Sequence, residues 1–252
     1  MVENVLQMSD ISKSFKGVHA LKRVTFNARA GKVNVLMGEN GAGKSTLMRI
    51  LVGAHKKDSG EICIGGKKVS IESPRDAIDH HIAMIYQELN LIMDMTVEEN
   101  SFIGRGITKS IFLDKKALLS KTRQLMEEYG VNIDPKAVVS QLSVANQQML
   151  EIVKALSLDA RIIIMDEPTS SLTAPEVRIL FKIIKKLNEQ GITIIYISHR
   201  MEEVFEIGDY ITIMRDGELA GEWSLKEIKP EEVICAMVGR KILKPFAKEK
   251  TE

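Results

Sequence analysis

Short apolar runs alternate along the chain with longer segments in which apolar residues recur at helical spacing. The runs are rich in β-branched residues, as expected of strands that are buried on both faces of a sheet. They are Val33–Met37, Ile82–Tyr86, Ile162–Met165, Thr193–Ile197 and Tyr210–Met214. Between the third and fourth runs, Thr173 and Glu176 have the spacing of a capping box, and Gly191 can end the helix that follows. This alternation of strand, helix and strand predicts a parallel α/β sheet.

Parts of the first 72 residues depart from this alternation, because several segments alternate apolar and polar residues in the manner of strands with one buried face. Two of these segments flank the pair Gly65–Gly66, which predicts a β-hairpin. The segments are Val5–Ser12, Val24–Ala28, Glu61–Ile64 and Lys67–Ile71. Together they predict an antiparallel β subdomain, at about residues 1–30 and 60–72, beside the parallel sheet.

Residues from Asp114 to Leu158 carry a mostly helical pattern without a buried-strand run, which predicts a helical insertion between strands. We place this helical subdomain at about residues 90–158 and assign the remainder to the parallel-sheet core. Residues 1–245 are predicted to form one domain. Residues 246–252 are predicted to be a charged, frayed tail.

A glycine-rich loop follows the first buried strand and leads into a short helical pattern. Its spacing is G-x-x-x-x-G-K-[ST], in which glycines allow consecutive backbone N–H groups to curl around phosphate oxygens. We expect Lys44 to reach the β- and γ-phosphates and Ser45 to bind Mg²⁺. The alternative is a glycine-rich turn with a chance lysine, but strand, loop and helix in this order favour a nucleotide site. The predicted binding positions are Gly38, Asn40, Gly41, Ala42, Gly43, Lys44, Ser45 and Thr46.

Polar side chains follow three of the predicted strands. Asp166 and Glu167 end one of them, Gln87 follows a second, and His199 follows a third. Because ligands of parallel sheets bind at the carboxyl ends of the strands, we expect these residues near Lys44. Asp166 is predicted to hold Mg²⁺, and Glu167 to polarise a water for attack on the γ-phosphate; the alternative is that the acidic pair caps the next helix. The other histidines are predicted to be surface residues: His19, His55, His80 and His81.

Composition narrows the range of partners and compartments. Hydrophobic residues make up 44% of the 252 residues and charged residues 27%, which is typical of a globular protein. The net charge of +1 gives no basic excess, so we expect no nucleic-acid partner. Cys63 and Cys235 lie too far apart in the sequence to suggest a zinc ribbon. No stretch approaches the ~18 apolar residues of a membrane span, and Met1–Asn4 lacks an apolar signal core, so we expect a cytoplasmic protein.

Taken in order, these motifs resemble those of the ATP-binding cassettes of ABC transporters, and the resemblance covers nearly the whole chain. The resemblance implies a P-loop NTPase with a RecA-like parallel-sheet core, an antiparallel β subdomain and a helical subdomain. It also implies ATP and Mg²⁺ as cofactors and ATP hydrolysis as the reaction. The matching motifs are the Walker A loop Gly38–Thr46, the Q-loop Tyr86–Glu88, a signature-like Leu142–Gln148, the Walker B residues Asp166–Glu167, the D-loop region Ser170–Thr173 and the switch His199.

The resemblance also assigns roles to individual residues. Phe15 matches the aromatic residue on which adenine stacks, although it could instead be a core phenylalanine. Gln87 would contact Mg²⁺ or the attacking water, and His199 would hold the γ-phosphate. Ser143 would face the γ-phosphate that is bound by a second cassette. The catalytic residues would then be Lys44, Gln87, Glu167 and His199, and the metal ligands Ser45, Gln87 and Asp166.

Partners follow from the same resemblance. A second cassette would complete the ATP site head to tail, membrane permease subunits would dock on the cassettes, and a separate sugar-binding protein would take part indirectly. The chain would then lie on the inner face of the cell membrane. Four segments resemble the ATPases of bacterial pentose and hexose importers. Those ATPases often carry two fused cassettes, and this chain is similar either to the first of such a pair or to a single-cassette member. The four segments are Val18–Leu21, Glu167–Thr173, Ser198–Glu203 and Met237–Arg240.

The signature departs from the usual pattern, and two alternatives to sugar import stay open. Val144 and Ala145 stand where glycines are usual, Asn146 replaces glutamine or glutamate, and Thr173 replaces aspartate in the D-loop. One alternative is an ATP-binding regulatory cassette with weak turnover. The other is a non-transport ABC ATPase, which the absence of long charged linkers in the sequence disfavours.

The stretch Glu88–Glu99 is unusually apolar for its position after Gln87. We expect the permease to dock there, the alternative being that these side chains pack the helical subdomain. The apolar residues of the stretch are Leu89, Leu91, Ile92, Met93 and Met95.

Overall fold

The computed structural model describes residues 3–104, 108–109 and 112–239, so the predicted tail lies outside the described residues. The strands in this part of the chain are β1 (Asn4–Phe15), β2 (Val18–Arg29), β3 (Val33–Met37), β4 (Ser59–Ile64), β5 (Lys67–Val69), β6 (Ile82–Ile85), β7 (Thr108–Lys109), β8 (Phe112–Leu113), β9 (Ile162–Asp166), β10 (Thr193–Ile197), β11 (Tyr210–Arg215) and β12 (Glu218–Ser224). The helices are α1 (Lys44–Leu51), α2 (Pro74–Asp79), α3 (Val97–Ser101), α4 (Lys115–Tyr129), α5 (Val144–Leu156), α6 (Ala174–Glu189), α7 (Met201–Ile207) and α8 (Pro230–Val238), with a 3-10 turn at Val139–Gln141.

The predicted parallel sheet is confirmed. Among the described residues it has six strands in the order β12-β11-β3-β10-β9-β6. All of its pairings are parallel except that of β12, which returns antiparallel at the edge. Strands β3, β9 and β10 are buried at every position, as their continuous apolar runs predicted. The structure ends β6 one residue earlier than predicted and carries β9 one residue further, to Asp166.

The predicted antiparallel subdomain is also present. Its four strands are ordered β2-β1-β4-β5, and Gly65 and Gly66 form the hairpin turn with φ of 55° and 73°. One hydrophobic cluster joins this sheet to the parallel one, because Leu6 and Phe26 belong to the same buried group as Ile164 and the residues of α1. The subdomain is therefore packed on the face of the core that carries the glycine-rich loop.

Helices α3, α4 and α5 make up the predicted helical insertion. Helix α5 joins it to the opposite face of the parallel sheet, where Leu150 and Val153 are buried in one cluster with Ile163 and Tyr196. The two-residue strands β7 and β8, which precede α4, were not predicted, because such short strands leave no periodic pattern. Within the described residues, none of the helices is long and apolar enough to cross a membrane.

Helix α6 begins and ends as predicted from its sequence. The Glu176 carboxylate accepts hydrogen bonds from the Thr173 backbone N–H at 2.7 Å and from its hydroxyl at 2.8 Å. Gly191 is left-handed, with a φ of 84°, two residues after the end of the helix. Leu180, Ile184 and the other buried residues of α6 cover the same face of the sheet as α5.

The end of α1 lies close to the start of α2. This close approach predicts that two glycines differ in how much stability is lost when each is replaced by alanine. Both Gly53 and Gly65 have a left-handed φ, but only at Gly53 would an added Cβ clash, 2.3 Å from the backbone of Ser73. Gly65→Ala should lower the free energy of unfolding by about 1–2 kcal/mol, the strain of the left-handed conformation. Gly53→Ala should lower it by about 1–3 kcal/mol more, through overpacking. Urea unfolding followed by circular dichroism measures both; equal losses would contradict this packing.

Candidate active site

The glycine-rich loop joins β3 to α1 at the carboxyl edge of the parallel sheet. The Ala42 N–H donates to the Glu39 carbonyl at 3.1 Å, and Gly43 forms the left-handed N-cap of α1 with a φ of 98°. Gly41 is also left-handed, with a φ of 84°. The unpaired N–H groups at the start of α1 therefore lie at the loop, which is the usual arrangement of a phosphate site.

Two of the loop glycines are required by close packing. A Cβ on Gly38 would lie 2.2 Å from the Met214 carbonyl oxygen of β11. A Cβ on Gly43 would lie 2.7 Å from the Leu21 side chain and 2.8 Å from the Ala20 carbonyl of β2. The loop is thus held between the edge of the parallel sheet and the antiparallel subdomain, which fixes the position of α1.

Lys44, the first residue of α1, turns its side chain back into the loop. Its Nζ donates to the Gly38 carbonyl at 2.8 Å and to the Glu39 carbonyl at 3.0 Å. Burial lowers the pKa of this lysine, and the nearby charges of Glu167 and Asp166 oppose the shift. The ammonium group therefore lies inside the curve of the loop, where phosphate oxygens would be bound.

Asp166 and Glu167 occupy the carboxyl end of β9. Asp166 is 8% exposed and in register with Ile197 of β10. Burial raises its pKa, with the Glu167 charge adding to the shift, while a hydrogen bond from the Ser45 hydroxyl opposes it. Glu167 has a left-handed φ of 48°, which is uncommon for a residue other than glycine. The alternation of the strand is broken there, so that two consecutive carboxylates line one pocket.

His199 follows β10 and contacts Glu167 directly. Its Nδ1 lies 2.9 Å from Glu167 Oε1, and the Glu167 backbone N–H donates to the Ile197 carbonyl at 3.0 Å. The imidazole is 57% exposed, whereas the Glu167 carboxylate is largely buried. A carboxylate that is oriented by a histidine at the mouth of a phosphate pocket is suited to accept a proton from water.

A pocket of about 200 Å³ brings together most of the residues that the sequence analysis identified. Its lining consists of Ala20, Asn40, Gly41, Ala42, Gly43, Lys44, Ser45, Thr46, Gln87, Asp166 and Glu167. Ala20 was not predicted as a site residue. It lies in the segment Val18–Leu21, whose sequence resembles that of the sugar importers but contains no side chain that indicates a chemical role. Gly38 lies beneath the loop rather than in the lining. A larger groove, of about 700 Å³ between α6 and α7, contains none of the predicted site residues.

Phe15 lies at the end of β1, outside the lining of this pocket. It is 39% exposed and packs edge-on against His55, with ring centroids 5.3 Å apart, while Lys13 Nζ lies 5.3 Å from its ring. The alternative of a core phenylalanine is therefore wrong. Stacking of adenine on this ring stays a prediction.

Ser143 is the N-cap of α5, and its hydroxyl oxygen accepts a hydrogen bond from the Asn146 N–H at 3.3 Å. The residue is exposed, as is the neighbouring Val144, and it does not line the pocket beside Lys44. A hydroxyl that caps its own helix still has its hydrogen free to donate. The role of Ser143 toward a second cassette stays a prediction.

The histidines outside the site lie at the surface, as predicted. His19 is exposed, and His55, His80 and His81 are partly exposed. His55 packs on Phe15, and the Nδ1 of His81 lies 3.0 Å from the Asp159 carbonyl oxygen. These two histidines therefore contact residues from distant parts of the chain, which their local sequence did not indicate.

The residues at the pocket fit a magnesium ion. Ser45 and Asp166 are hydrogen-bonded to each other, and Gln87 lines the same pocket, so three oxygen-bearing side chains converge there. Mg²⁺ prefers such hard oxygen ligands and commonly combines one or two protein groups with substrate phosphates.

Comparison with known proteins identifies a family. The model of the ABC transporter family matches residues 21–170. The galactose/methyl galactoside import ATP-binding protein MglA of Clostridium perfringens strain 13 is 47% identical over 246 residues, covering 98% of this chain and 48% of that protein. MglA 2 of Photobacterium profundum is 48% identical over 249 residues, covering 99% and 49%. The chain therefore spans about half the length of the curated relatives it matches.

Solved structures agree with this comparison. The ADP form of MJ1267, an ATP-binding cassette of an ABC transporter, superposes with a TM-score of 0.83 at 25% identity, covering 94% of this chain and 100% of that one. A dimeric structure of the cassette MJ0796, bound to ADP and Pi, gives a TM-score of 0.75 at 25% identity, covering 88% and 100%.

The raised pKa of Asp166 predicts that its ionised carboxylate destabilises the folded protein. A carboxyl whose pKa is raised by folding destabilises the folded state when it is ionised, so the neutral Asp166→Asn should be more stable at pH 7, by about 0.5–2 kcal/mol. The advantage should shrink as the pH falls and disappear below about pH 3.9, where the wild-type carboxyl is protonated in both states. Urea unfolding across this pH range measures the difference. Exposed Asp94→Asn is the matched control, and an equal gain there would contradict the assignment.

Proposed function

The chain belongs to the ABC transporter family, and on that premise we propose that it binds and hydrolyses ATP to power the import of a monosaccharide through a membrane permease. The observation that carries the proposal is the 2.9 Å contact between His199 Nδ1 and Glu167 Oε1, beside a glycine-rich loop that holds Lys44. A phosphate-binding loop alone would suit many nucleotide enzymes. The added histidine–carboxylate pair supplies the groups for attack by water.

In this mechanism the loop and the start of α1 bind the phosphates of ATP through backbone N–H groups, and Lys44 neutralises part of their charge. Glu167 accepts a proton from the attacking water, and His199 keeps the carboxylate oriented while it contacts the γ-phosphate. Ser45, Gln87 and Asp166 would hold Mg²⁺. When bound, that ion would offset the negative charge of the phosphates.

The substrate and the partners are inferred from the relatives. Proteins that are 46–48% identical to the chain are named galactose/methyl galactoside import ATP-binding proteins, which supports a monosaccharide as the cargo. Import requires permease subunits in the membrane and, indirectly, a separate sugar-binding protein. The cassette would then be a peripheral subunit on the inner face of the membrane.

A second cassette is part of the proposal. Ser143 and the start of α5 lie away from the chain's own pocket, so their role toward ATP requires the pocket of another cassette. A relative of the same fold is described as a dimer, which supports such pairing. The exposed Val144 stands where glycine would let backbone approach phosphate closely. This substitution favours the alternative of a regulatory cassette with weak turnover. The next experiment distinguishes that alternative from a cassette with full turnover.

A variant that binds ATP without hydrolysing it should reveal the partner. Glu167→Gln keeps the shape of the side chain but cannot accept the proton, so with ATP and Mg²⁺ we expect it to form a dimer that the wild type does not accumulate. Light scattering, with and without nucleotide, measures the mass. The matched control is the double variant with Lys44→Ala, which should stay monomeric because its phosphate contact is lost.

Wild-type ATPase activity, measured in parallel, completes this test. A dimer together with wild-type turnover supports a competent signature. A dimer without turnover supports the regulatory alternative. A variant that binds ATP and stays monomeric would show that this chain does not pair with itself and would contradict self-association.

The segment that follows Gln87 is the proposed docking surface for the permease. The buried Asn100 holds it rigidly: its Oδ1 accepts from the Ile92 N–H at 2.8 Å, and its Nδ2 donates to the Ile92 carbonyl at 2.9 Å. The side chains of Ile92 and Met93 are each 44% exposed on this fixed backbone, whereas Leu91 packs against the core. Leu91 therefore fits the alternative of packing the core and is unsuitable for a docking test, whereas Ile92 and Met93 are the residues that we propose for docking.

Replacing Ile92 and Met93 by serine should uncouple transport. We expect sugar uptake by the reconstituted transporter to fall at least about tenfold, since each exposed apolar side chain would lose its contact in the permease. Basal ATPase activity of the isolated cassette should stay within about twofold. Leu219→Ser, at a similarly exposed apolar position on β12, is the matched control. Parallel losses of uptake and basal ATPase activity would count against docking at this surface.

A further inference from the structure

A buried carboxylate outside the pocket, Glu203 of α7, links the two turns that carry the Glu167–His199 pair. We propose that Glu203 is a positioning residue for ATP hydrolysis, which holds His199 at hydrogen-bond distance from Glu167. This inference rests on the proposed function, since it concerns the same reaction. Glu203 is 6% exposed, and it is not among the residues that line the pocket beside Lys44.

The first link runs to the turn after β9. Thr169 lies two residues beyond Glu167 and is buried. Its hydroxyl lies 2.8 Å from one carboxylate oxygen of Glu203 and 2.9 Å from the other. The turn that leaves Glu167 in its left-handed conformation is therefore attached to α7 by a buried, charge-assisted hydrogen bond.

The second link runs to the turn after β10, on both sides of His199. The Ser198 hydroxyl donates to Glu203 at 3.1 Å, and Arg200 Nη1 donates to it at 3.2 Å. Ser198 Oγ also accepts the Arg200 N–H at 3.0 Å, which tightens the turn. Because the imidazole of His199 is itself largely exposed, its direction depends on the backbone that these neighbours fix.

A fourth donor comes from within the core. The hydroxyl of the fully buried Tyr196 donates to Glu203 at 2.8 Å. Burial, together with the Glu203 charge, raises the pKa of this tyrosine, so it stays neutral and acts as a donor. Tyr196 lies within β10, one residue before its end, rather than in either turn. It therefore stabilises the carboxylate without linking the catalytic pair.

The geometry of the network suits a carboxylate side chain at this position. Thr169, Tyr196, Ser198 and Arg200 all donate to Glu203, and a carboxylate has acceptor positions for all of them. A glutamine would keep one acceptor oxygen and turn an N–H₂ group toward donors, which leaves buried donors unpaired. Three of the four donors, Thr169, Ser198 and Arg200, lie in the two turns that carry the Glu167–His199 pair. The carboxylate of Glu203 therefore joins these two turns.

Glu203→Gln tests the proposal on the full chain. We expect kcat for ATP to fall by about tenfold to a hundredfold, the usual consequence of misplaced catalytic groups, while KM and the Kd of ATP change by less than about threefold. Tyr196→Phe is the matched control: it also removes a hydrogen bond to Glu203, but not one that links a turn, and it should keep kcat within about threefold. A kcat that is unchanged in Glu203→Gln, or equally reduced in Tyr196→Phe, would overturn the inference.

A double-mutant cycle separates positioning from general stabilisation. If Glu203 acts through His199, then Glu203→Gln should reduce kcat no further in a His199→Ala background. Reductions that multiply would show that Glu203 acts independently of the histidine and would refute the proposal. If Glu203→Gln does not fold, Thr169→Val, which has the same shape and removes only the first link, should reduce kcat with the same dependence on His199.

A measurement without turnover distinguishes failure of this inference from failure of the proposed function. In the nucleotide-free protein, the backbone amides of Glu167, Thr169, Ser170 and residues 198–201 should exchange hydrogen faster in Glu203→Gln than in Tyr196→Phe. An inactive wild type would overturn the proposed function, while this exchange pattern would still test the linkage. Equal exchange in the two variants would overturn the linkage itself.

Discussion

Two consecutive carboxylates can face one pocket only if the backbone departs from strand geometry between them, since successive side chains of a strand point to opposite faces. The left-handed conformation of Glu167 makes that departure at the carboxyl end of β9. It is held on one side by the hydrogen bond from its N–H to Ile197 and on the other by the bond from the Ser170 N–H to its carbonyl, 3.1 Å. Asp166 is thereby left beside Ser45 and Glu167 beside His199, so the placement of both carboxylates depends on this one turn.

The electrostatics of the site are unfavourable in the free protein. Burial lowers the pKa of Lys44 and raises that of Asp166, so each charged form is penalised by its surroundings. Phosphates and a divalent cation would supply the opposite charges that these groups lack. Charges that are unfavourable in the free protein, and that a bound ligand would neutralise, are typical of functional sites. In such sites the residues needed for function lower the stability of the fold.

The two subdomains pack on opposite faces of the parallel sheet. The antiparallel sheet shares its hydrophobic cluster with α1 and so fixes the phosphate loop, while α5 packs on the other face of the sheet and presents Ser143 away from that loop. The segment containing Ile92 is tied to the same helical part through Asn100 and through Asn90, whose N–H donates to Glu151 of α5 at 2.9 Å. Movement of the helical subdomain would therefore carry the signature serine and the exposed apolar segment together.

The amino-acid pattern was sufficient to predict features that repeat or that are contiguous: the buried strands, the hairpin at Gly65–Gly66, the phosphate loop and the acidic pair after β9. Each leaves a local signal, because a buried strand needs an unbroken apolar run and a phosphate loop needs glycines at fixed spacing. Three features became visible only in the folded chain: the lining role of Ala20, the packing of His55 on Phe15 and the network around Glu203. Those depend on contacts between residues that are far apart in the chain, such as Thr169 and Glu203, and such contacts leave no periodic trace in a single sequence.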